Sequence, residues 1–486
     1  MCARRSERQR EPTSRRISAS PTLGQYLSTH SLHKTSLPLL AVAAFLLAIG
    51  TLVGALGPLG VLAPLALAYL CFCLVRPGAG LAWSFAALPL ALPELQVAGI
   101  HIQPFELLVW PASLIALGSA LEKRQSFLPS DLRTLAPLLT VGGYLLIASL
   151  LLWGAEAPLE ARRWASALFF GVACYAKVPD EDFQLNLPRA FVFSAVSLCV
   201  LGLSQHYLGV PLFRGFEEPR DLLRLFLFGD QTPVRLANLT FEHFNSAGAY
   251  LTLVVGVLFG LSLSNRPSRA IRAALLFAIL ALYLTYSRGA AIATLAGMAA
   301  AAYLVARVPL RIALTSGAAA AAIGGLIVGR FMLLSDYATT VSLGARALIW
   351  RAYEQAWLTS PLFGLGPGNG FVAASFLSPF GDRYAAHNNF LYLAADFGIA
   401  GVLVALYGFG AVAFRAFGID RDTRRTQPYL IGGVAIVTAL AVHSLVDHTL
   451  ILFSYRVALF GMLALSLRPQ AGAQADVRLE RLHAPI

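Results

Sequence analysis

Long apolar runs follow one another from residue 37 to residue 467, and nothing else in the chain limits its fold so tightly. A run of about 18 or more apolar residues is long enough to cross a bilayer core as helix. Hydrocarbon offers no water to backbone N–H and C=O groups, so only helices and closed barrels span it. These runs lack the two-residue alternation of a barrel strand. The chain therefore reads as an all-α polytopic membrane protein. Of its 486 residues 57% are hydrophobic and only 13% are charged, against roughly 25% charged in soluble domains.

Hydropathy marks about fourteen candidate spans. They fall at 37–57, 59–75, 80–94, 104–120, 133–153, 164–178, 188–208, 244–264, 270–286, 288–306, 311–329, 388–414, 428–446 and 450–467. The third and sixth are short, so the expected count is about 12–14 transmembrane helices. The net charge of +12 would suit a nucleic-acid partner, but its placement argues against one. Arg4, Arg5, Arg8, Arg10, Arg15 and Arg16 crowd residues 1–36, which read as a disordered basic cytoplasmic tail. With that tail inside, the arginine-rich blocks at 122–133, 264–272, 307–311 and 415–425 all land inside too, as short cytoplasmic loops should. Residues 468–486 form a second cytoplasmic tail. The cysteines, Cys2, Cys71, Cys73, Cys174 and Cys199, mostly sit in apolar runs and are expected to be small buried hydrophobes without a disulfide framework.

The same threading leaves two longer loops outside, at about 209–243 and 330–387. In the second, Arg330, Arg346, Arg351 and Arg383 face Asp336, Glu354 and Asp382, and the positive-inside bias does not explain those arginines. Within it, Leu348, Ile349, Ala352, Ala356 and Trp357 are spaced for an amphipathic helix closed by Pro361. "GLGPGNGF" (364–371) follows, with Gly366 and Gly368. It reads either as a glycine-rich turn or as a cradle whose N–H groups approach an anion.

Several polar residues gather on the outer side. Arg288 sits at the tip of a tight hairpin in "YSRGA" (286–290). It either snorkels to headgroups or grips phosphate oxygens with its planar fork. Arg235 stands outside, ahead of a helix beginning near Phe244 that Asn245 and Ser246 are expected to cap. His387 ends the second loop, and Asn388 and Asn389 are expected to cap the span after it. A histidine there could exchange a proton near neutral pH. Asp396 lies inside that span. "HSLVDHTL" places His443, Asp447 and His448 at the end of the next, and Asp447 and Asp396 are candidate partners for Arg456. His443 and Asp447 share a helical face, but the sequence offers no third ligand near them, so no metal site is expected.

These motifs carry a resemblance. "RALIWRAYEQAWLTSPLFGLGPGNGF" (346–371) followed by "AHNNFLYLAADFGIAGVL" (386–403) is similar to the O-antigen ligase and polymerase superfamily of bacterial membrane glycosyltransferases, with support from "YSRGA", "VRLANLTFEHFNSAGAYL" (234–251) and "HSLVD". The resemblance covers roughly 234–456. It implies a GT-C-like helical fold in the inner membrane, with N-terminal spans and a first periplasmic loop over 37–233. A catalytic membrane region would occupy 234–467, with its periplasmic loop at 330–387 holding short amphipathic helices. The implied donor is a lipid diphosphate-linked glycan, and the acceptor is the lipid A core or a growing polysaccharide, with membrane lipids around both. No cofactor and no metal are implied. Arg235 and Arg288 would hold the diphosphate and His387 would sit at the reacting centre. Arg346, Gly366, Gly368, Asn388, Asn389 and Asp447 would bind substrate. This chain departs from the family in having Glu242-His243-Phe244 where a small Gly/Pro/Asn-rich turn is usual, and Asp396 where a glutamate is common.

Ligation to the lipid A core is the expected reaction, with repeat-unit polymerisation as the alternative. A transporter or flippase for lipid-linked sugar is the rival of another class. A transporter needs broken helices and polar groups near the midplane, whereas the spans from 244 to 329 carry no charged residue in their apolar centres.

Overall fold

A computed structural model describes residues 59–89, 95–97, 100–122, 129–154, 156–208, 217–218, 234–235, 237–241, 243–265, 267–305, 338–378 and 385–468. The tails 1–36 and 469–486, the spans expected at 37–57 and 311–329, and most of the loop 209–243 lie outside the described residues. The chain divides into two compact units, Met1–Leu67 and Ala68–Ile486. The first contributes only the opening of helix α1 (Leu59–Val75) to the described residues.

The second unit is helical. Its elements are α2 (Pro77–Ala87), the ribbon β1 (Leu95–Val97) with β2 (Ile100–Ile102), α3 (Glu106–Glu122), α4 (Pro129–Leu151), α5 (Ala157–Lys177) and α6 (Glu181–Leu203). A two-residue ribbon of β3 (Glu217–Glu218) with β4 (Val234–Arg235) follows. Then come α7 (Phe244–Ser262), α8 (Arg269–Leu284), α9 (Arg288–Val305), α10 (Ala338–Thr359), α11 (Asn369–Leu377), α12 (Asn389–Gly418), α13 (Arg421–Arg425), α14 (Pro428–His443) and α15 (Phe453–Leu467). Among the described residues five segments are long and apolar enough to cross a membrane: Asp131–Leu151, Glu181–Leu208, Phe244–Ser262, Arg288–Val305 and Asn389–Gly418. The all-α polytopic class holds. The stretch 80–94 does not form one span, since α2 ends at Ala87 and the chain turns into the first ribbon.

Helix starts follow local chemistry. Asp180 caps α6 by accepting from the Phe183 N–H at 3.2 Å, and Ser268 caps α8 by accepting from Ile271 N–H at 3.2 Å. Proline stands at the first position of α2 and α14, where its missing N–H costs nothing. Large apolar side chains such as Leu276, Leu295, Leu403 and Phe414 point outward, as a lipid-facing surface requires. Between helices small residues let backbones meet. A Cβ on Gly297 of α9 would lie 2.2 Å from the Ala435 carbonyl of α14, and one on Gly260 of α7 would lie 2.4 Å from the Pro428 carbonyl. All four described cysteines are free; Cys73, Cys174 and Cys199 are buried, but Cys71 is exposed.

Arg456 is fully buried, and its partner is neither Asp396 nor Asp447. It forks onto Glu160, with Nη1 2.5 Å from Oε2 and Nη2 3.2 Å from Oε1. It also donates to the Tyr392 hydroxyl at 3.3 Å and lies 4.3 Å from the Trp164 ring centre. Arg163 adds a 2.8 Å contact to the same carboxylate. The sequence reading starts the sixth span at 164 and so leaves Glu160 out of the bundle. Helix α5 begins at Ala157 and carries Glu160 inside.

Helix α12 is broken. Gly398 has φ +69°, and a Cβ there would sit 2.2 Å from the Leu362 carbonyl. Residues 361–370 plug the break. Ile399 N–H donates to Pro361 O at 2.9 Å, Leu365 N–H to Ala395 O at 2.8 Å and Gly366 N–H to Asp396 O at 3.0 Å. Tyr144 Oη–H donates to the Phe397 carbonyl at 3.1 Å. The Asp396 carboxylate accepts from Gly368 N–H at 3.1 Å and Gly370 N–H at 2.9 Å. The N–H groups of the glycine loop are thus turned onto the chain's own Asp396 side chain.

Glu160→Gln keeps the shape of α5 and leaves Arg456 buried without a counter-charge. Breaking such a pair costs roughly 3–5 kcal/mol. The variant is expected to unfold at clearly lower temperature than wild type in the same detergent, read by thermal-shift fluorescence.

Candidate functional site

Four helix ends converge on one cavity of about 490 Å³. It is lined by His243, Asn245, Ser246, Ala385, His387, Asp447, His448, Thr449, Ile451 and Leu452. These residues belong to the start of α7, the segment before α12 and the stretch from α14 to α15. The start of α9 joins them: Ser287 Oγ–H donates to Asn245 Oδ1 at 2.9 Å, and a Cβ on Gly289 would lie 3.2 Å from His443 Cδ2. Arg288 stands between those two contacts and is exposed.

The walls are held from behind. Asn388 caps α12, its Oδ1 accepting from the Phe390 and Leu391 N–H groups at 2.9 and 3.1 Å. Asn389, expected as a second cap, does something else. It is 1% exposed and grips the segment after α14. Its Nδ2 donates to Ser444 Oγ at 2.8 Å and Thr449 Oγ1 at 3.0 Å, and its Oδ1 accepts from Leu450 N–H at 2.9 Å. Asp447 and His448 lie inside that grip. Arg346 Nη1 donates to the Val446 carbonyl at 3.1 Å, one residue from Asp447. On the other wall, Trp350 Nε1–H donates to Ala386 O at 2.9 Å, next to His387, whose φ is +45°. A positive φ at a non-glycine residue is held only by surrounding contacts and clusters at functional sites. The buried stripe of α10 is Ile349, Ala352, Tyr353 and Ala356, with Leu348 outside it.

At the centre, Asp447 faces three imidazoles. Its Oδ1 lies 3.4 Å from His387 Nδ1 and 3.3 Å from His448 Nδ1, and its Oδ2 lies 3.8 Å from His443 Nε2. The His387 and His448 rings meet edge to face, 4.9 Å apart. Burial works to raise the Asp447 carboxyl, but the facing histidines outweigh it and hold the group well below the usual carboxylate range. Asp447 is therefore an anion set among the imidazoles. His387, His448 and Asp447 bring one potential metal-ligand atom each within 4.8 Å of one another. His443, which shares a helical face with Asp447, is not part of that group; His448, next in the chain, and His387, from a loop elsewhere, are.

His243 is the N-cap of α7, in place of the expected Asn245 and Ser246. Its Nδ1 accepts from the Asn245 N–H at 3.1 Å, which puts the ring proton on Nε2. Burial lowers its pKa below the ordinary 6.5, reinforced by His387, His448 and Arg346 against the opposing pull of Asp447.

The site thus gathers His387 and Asp447 directly, places Arg288 at its edge, and uses Arg346, Asn388 and Asn389 as supports. Gly366 and Gly368 are engaged with Asp396 in the plug of the broken helix. The backbone of Arg235 pairs with Glu217 in the small ribbon; its side chain lies outside the described residues. The sequence reading missed His243 as a lining residue, recording it only as a departure from the family. It saw His448 without giving it a role.

A membrane-embedded helical bundle with a titratable cavity at one helix-end face defines the class. Residues 273–406 match the family model described as O-antigen ligase, so this stretch of the chain is similar to that family. The match supports O-antigen ligase/polymerase-type enzyme function in general. The matched stretch holds Arg288, Arg346, His387, Asn388 and Asn389; His243, Asp447 and His448 lie outside it. No curated protein matches the chain.

The unfolded chain takes up a proton on His243 before the folded one does. This residue's stabilising share is complete above about pH 6.5 and drains away as the pH falls below it. His243→Asn retains a capping side chain that does not titrate. Its unfolding midpoint is expected to drop less than that of wild type between about pH 7 and pH 5.5, read by thermal-shift fluorescence.

Proposed function

We propose that the protein transfers a glycan from an undecaprenyl diphosphate-linked donor to an acceptor sugar hydroxyl, at the periplasmic face of the bacterial inner membrane. The acceptor is the lipid A core. The observation that carries this reading is the cavity at the helix-end face where His387 and Asp447 meet. A donor anchored by its lipid tail presents its first sugar at that depth.

The chemistry follows from those groups. His387 Nε2 takes the proton of the acceptor hydroxyl. The freed oxygen attacks the anomeric carbon as its bond to the diphosphate breaks, and the diphosphate leaves with the electron pair. Asp447 orients the imidazole through the Nδ1 side and steadies its positive charge. Arg288 and Arg235 receive the charge that grows on the leaving group, where donors aimed at the transition state lower the barrier most. Arg346 and Asn389 keep Asp447 in place. The transporter alternative would use the break in α12, but residues 361–370 fill that break and Asp396 is 1% exposed.

Purified protein supplied with lipid-linked donor and lipid A core acceptor tests the reading. Arg288→Lys is expected to lower transfer about a hundredfold or more, since an ammonium cannot reproduce the fork. Near-wild-type turnover would remove Arg288 from donor binding. EDTA is expected to leave transfer intact, and a strict metal requirement would overturn the arginine assignment. A deletion strain that leaves single repeat units on the core, in place of a bare core, would make the enzyme a polymerase.

A further inference from the structure

The proton-transfer reading leaves one arrangement unexplained. The Nδ1 atoms of His387 and His448 are both buried and neither has a hydrogen-bond partner. Both nonetheless aim at Asp447 Oδ1, at 3.4 and 3.3 Å. Those separations are long for N–H to carboxylate bonds, which cluster near 2.7–2.9 Å when charged. They are the separations of atoms sharing a tetrahedral cation. With ligand bonds of about 2.0–2.1 Å to zinc, neighbouring ligand atoms lie about 3.3 Å apart.

We propose that His387, Asp447 and His448 form a three-ligand site for a zinc-class divalent cation, its fourth position opening into the cavity. Two imidazoles and one carboxylate are the donor set that such cations prefer, and three protein ligands with one open position is the layout of accessible zinc sites. The supports are those a metal site needs. The Asp447 Oδ1 atom is fixed by the His448 N–H at 2.9 Å, and Asn389 brackets the segment through Ser444 and Leu450. The ligands come from two separated segments, so the site exists only in the folded chain.

The consequence for transfer rests on the proposed function above. A cation on His387 Nδ1 leaves the ring proton on Nε2, so the nitrogen that would accept the hydroxyl proton has no free lone pair. Zinc therefore acts as a reversible inhibitor.

The test uses the full-length protein, purified in detergent and stripped with EDTA. One equivalent of Co²⁺ is expected to give the intense visible bands of a tetrahedral complex, and Zn²⁺ to displace it. His448→Ala should weaken binding at least about tenfold, while His206→Ala, which removes an imidazole that stacks on Tyr286 and is not among the residues lining the cavity, should bind as wild type. His448→Cys keeps a ligand and should add a thiolate-to-cobalt charge-transfer band in the near ultraviolet, which a misfolded protein would not show. Failure to bind one equivalent, or unchanged binding by His448→Ala together with no such band in His448→Cys, would overturn the site. Zinc should abolish transfer and EDTA restore it. Binding without any transfer by the stripped protein would instead sink the glycosyltransferase reading and leave the metal site standing.

Discussion

A bilayer interior supplies no water, so every charge and every broken backbone bond inside this bundle has to be answered by another part of the chain. Arg456 is answered by Glu160, Tyr392 and the Trp164 face. The break at Gly398 is answered by Pro361, Leu365 and Gly366, and Asp396 by Gly368 and Gly370. Each answer comes from a distant segment, and each fixes a helix relative to its neighbours. Those contacts tie α5, α12 and α15 to one another beneath the cavity's residues.

Against that rigid frame the polar groups at the helix ends face a different environment. His243, His387 and His448 line a space open enough to admit a ligand, and Asp447 stands among them as an anion. Their positions depend on residues that never reach the cavity centre. Asn389 joins the start of α12 to both flanks of Asp447, Arg346 holds Val446, and Trp350 holds Ala386. The separation is one of roles: an amide, a guanidinium and an indole set the geometry, and imidazoles with one carboxylate carry the reactivity.

Periodicity and hydropathy carried the class of the fold, because a span's length is a property of a continuous run. They also brought His387 and Asp447 to one face, since alternation of spans is enough to sort helix ends. What alternation cannot supply is pairing within a face. Glu160 and Arg456 are nearly 300 positions apart, and no local pattern links them. The glycine cluster read either as a turn or as an anion cradle, and what its N–H groups meet depended on a helix break invisible in an unbroken apolar run. Asn389 looked like a cap because it follows Asn388; its burial, set by the neighbouring helix, gave it the other task. The metal-capable group escaped for the same reason, since spacing along one helix says nothing about His387, on a loop folded over its end.

The plug in α12 also orders events during biogenesis. Residues 361–370 leave the ribosome before the helix that they complete, so their N–H groups and the glycine turns have no partners until α12 has entered the bilayer. Until then α10 and α11 are tethered to a segment without its socket. Insertion of α12 would thus act as the latch that seats residues 361–370, and truncation before Gly398 would leave them without their socket.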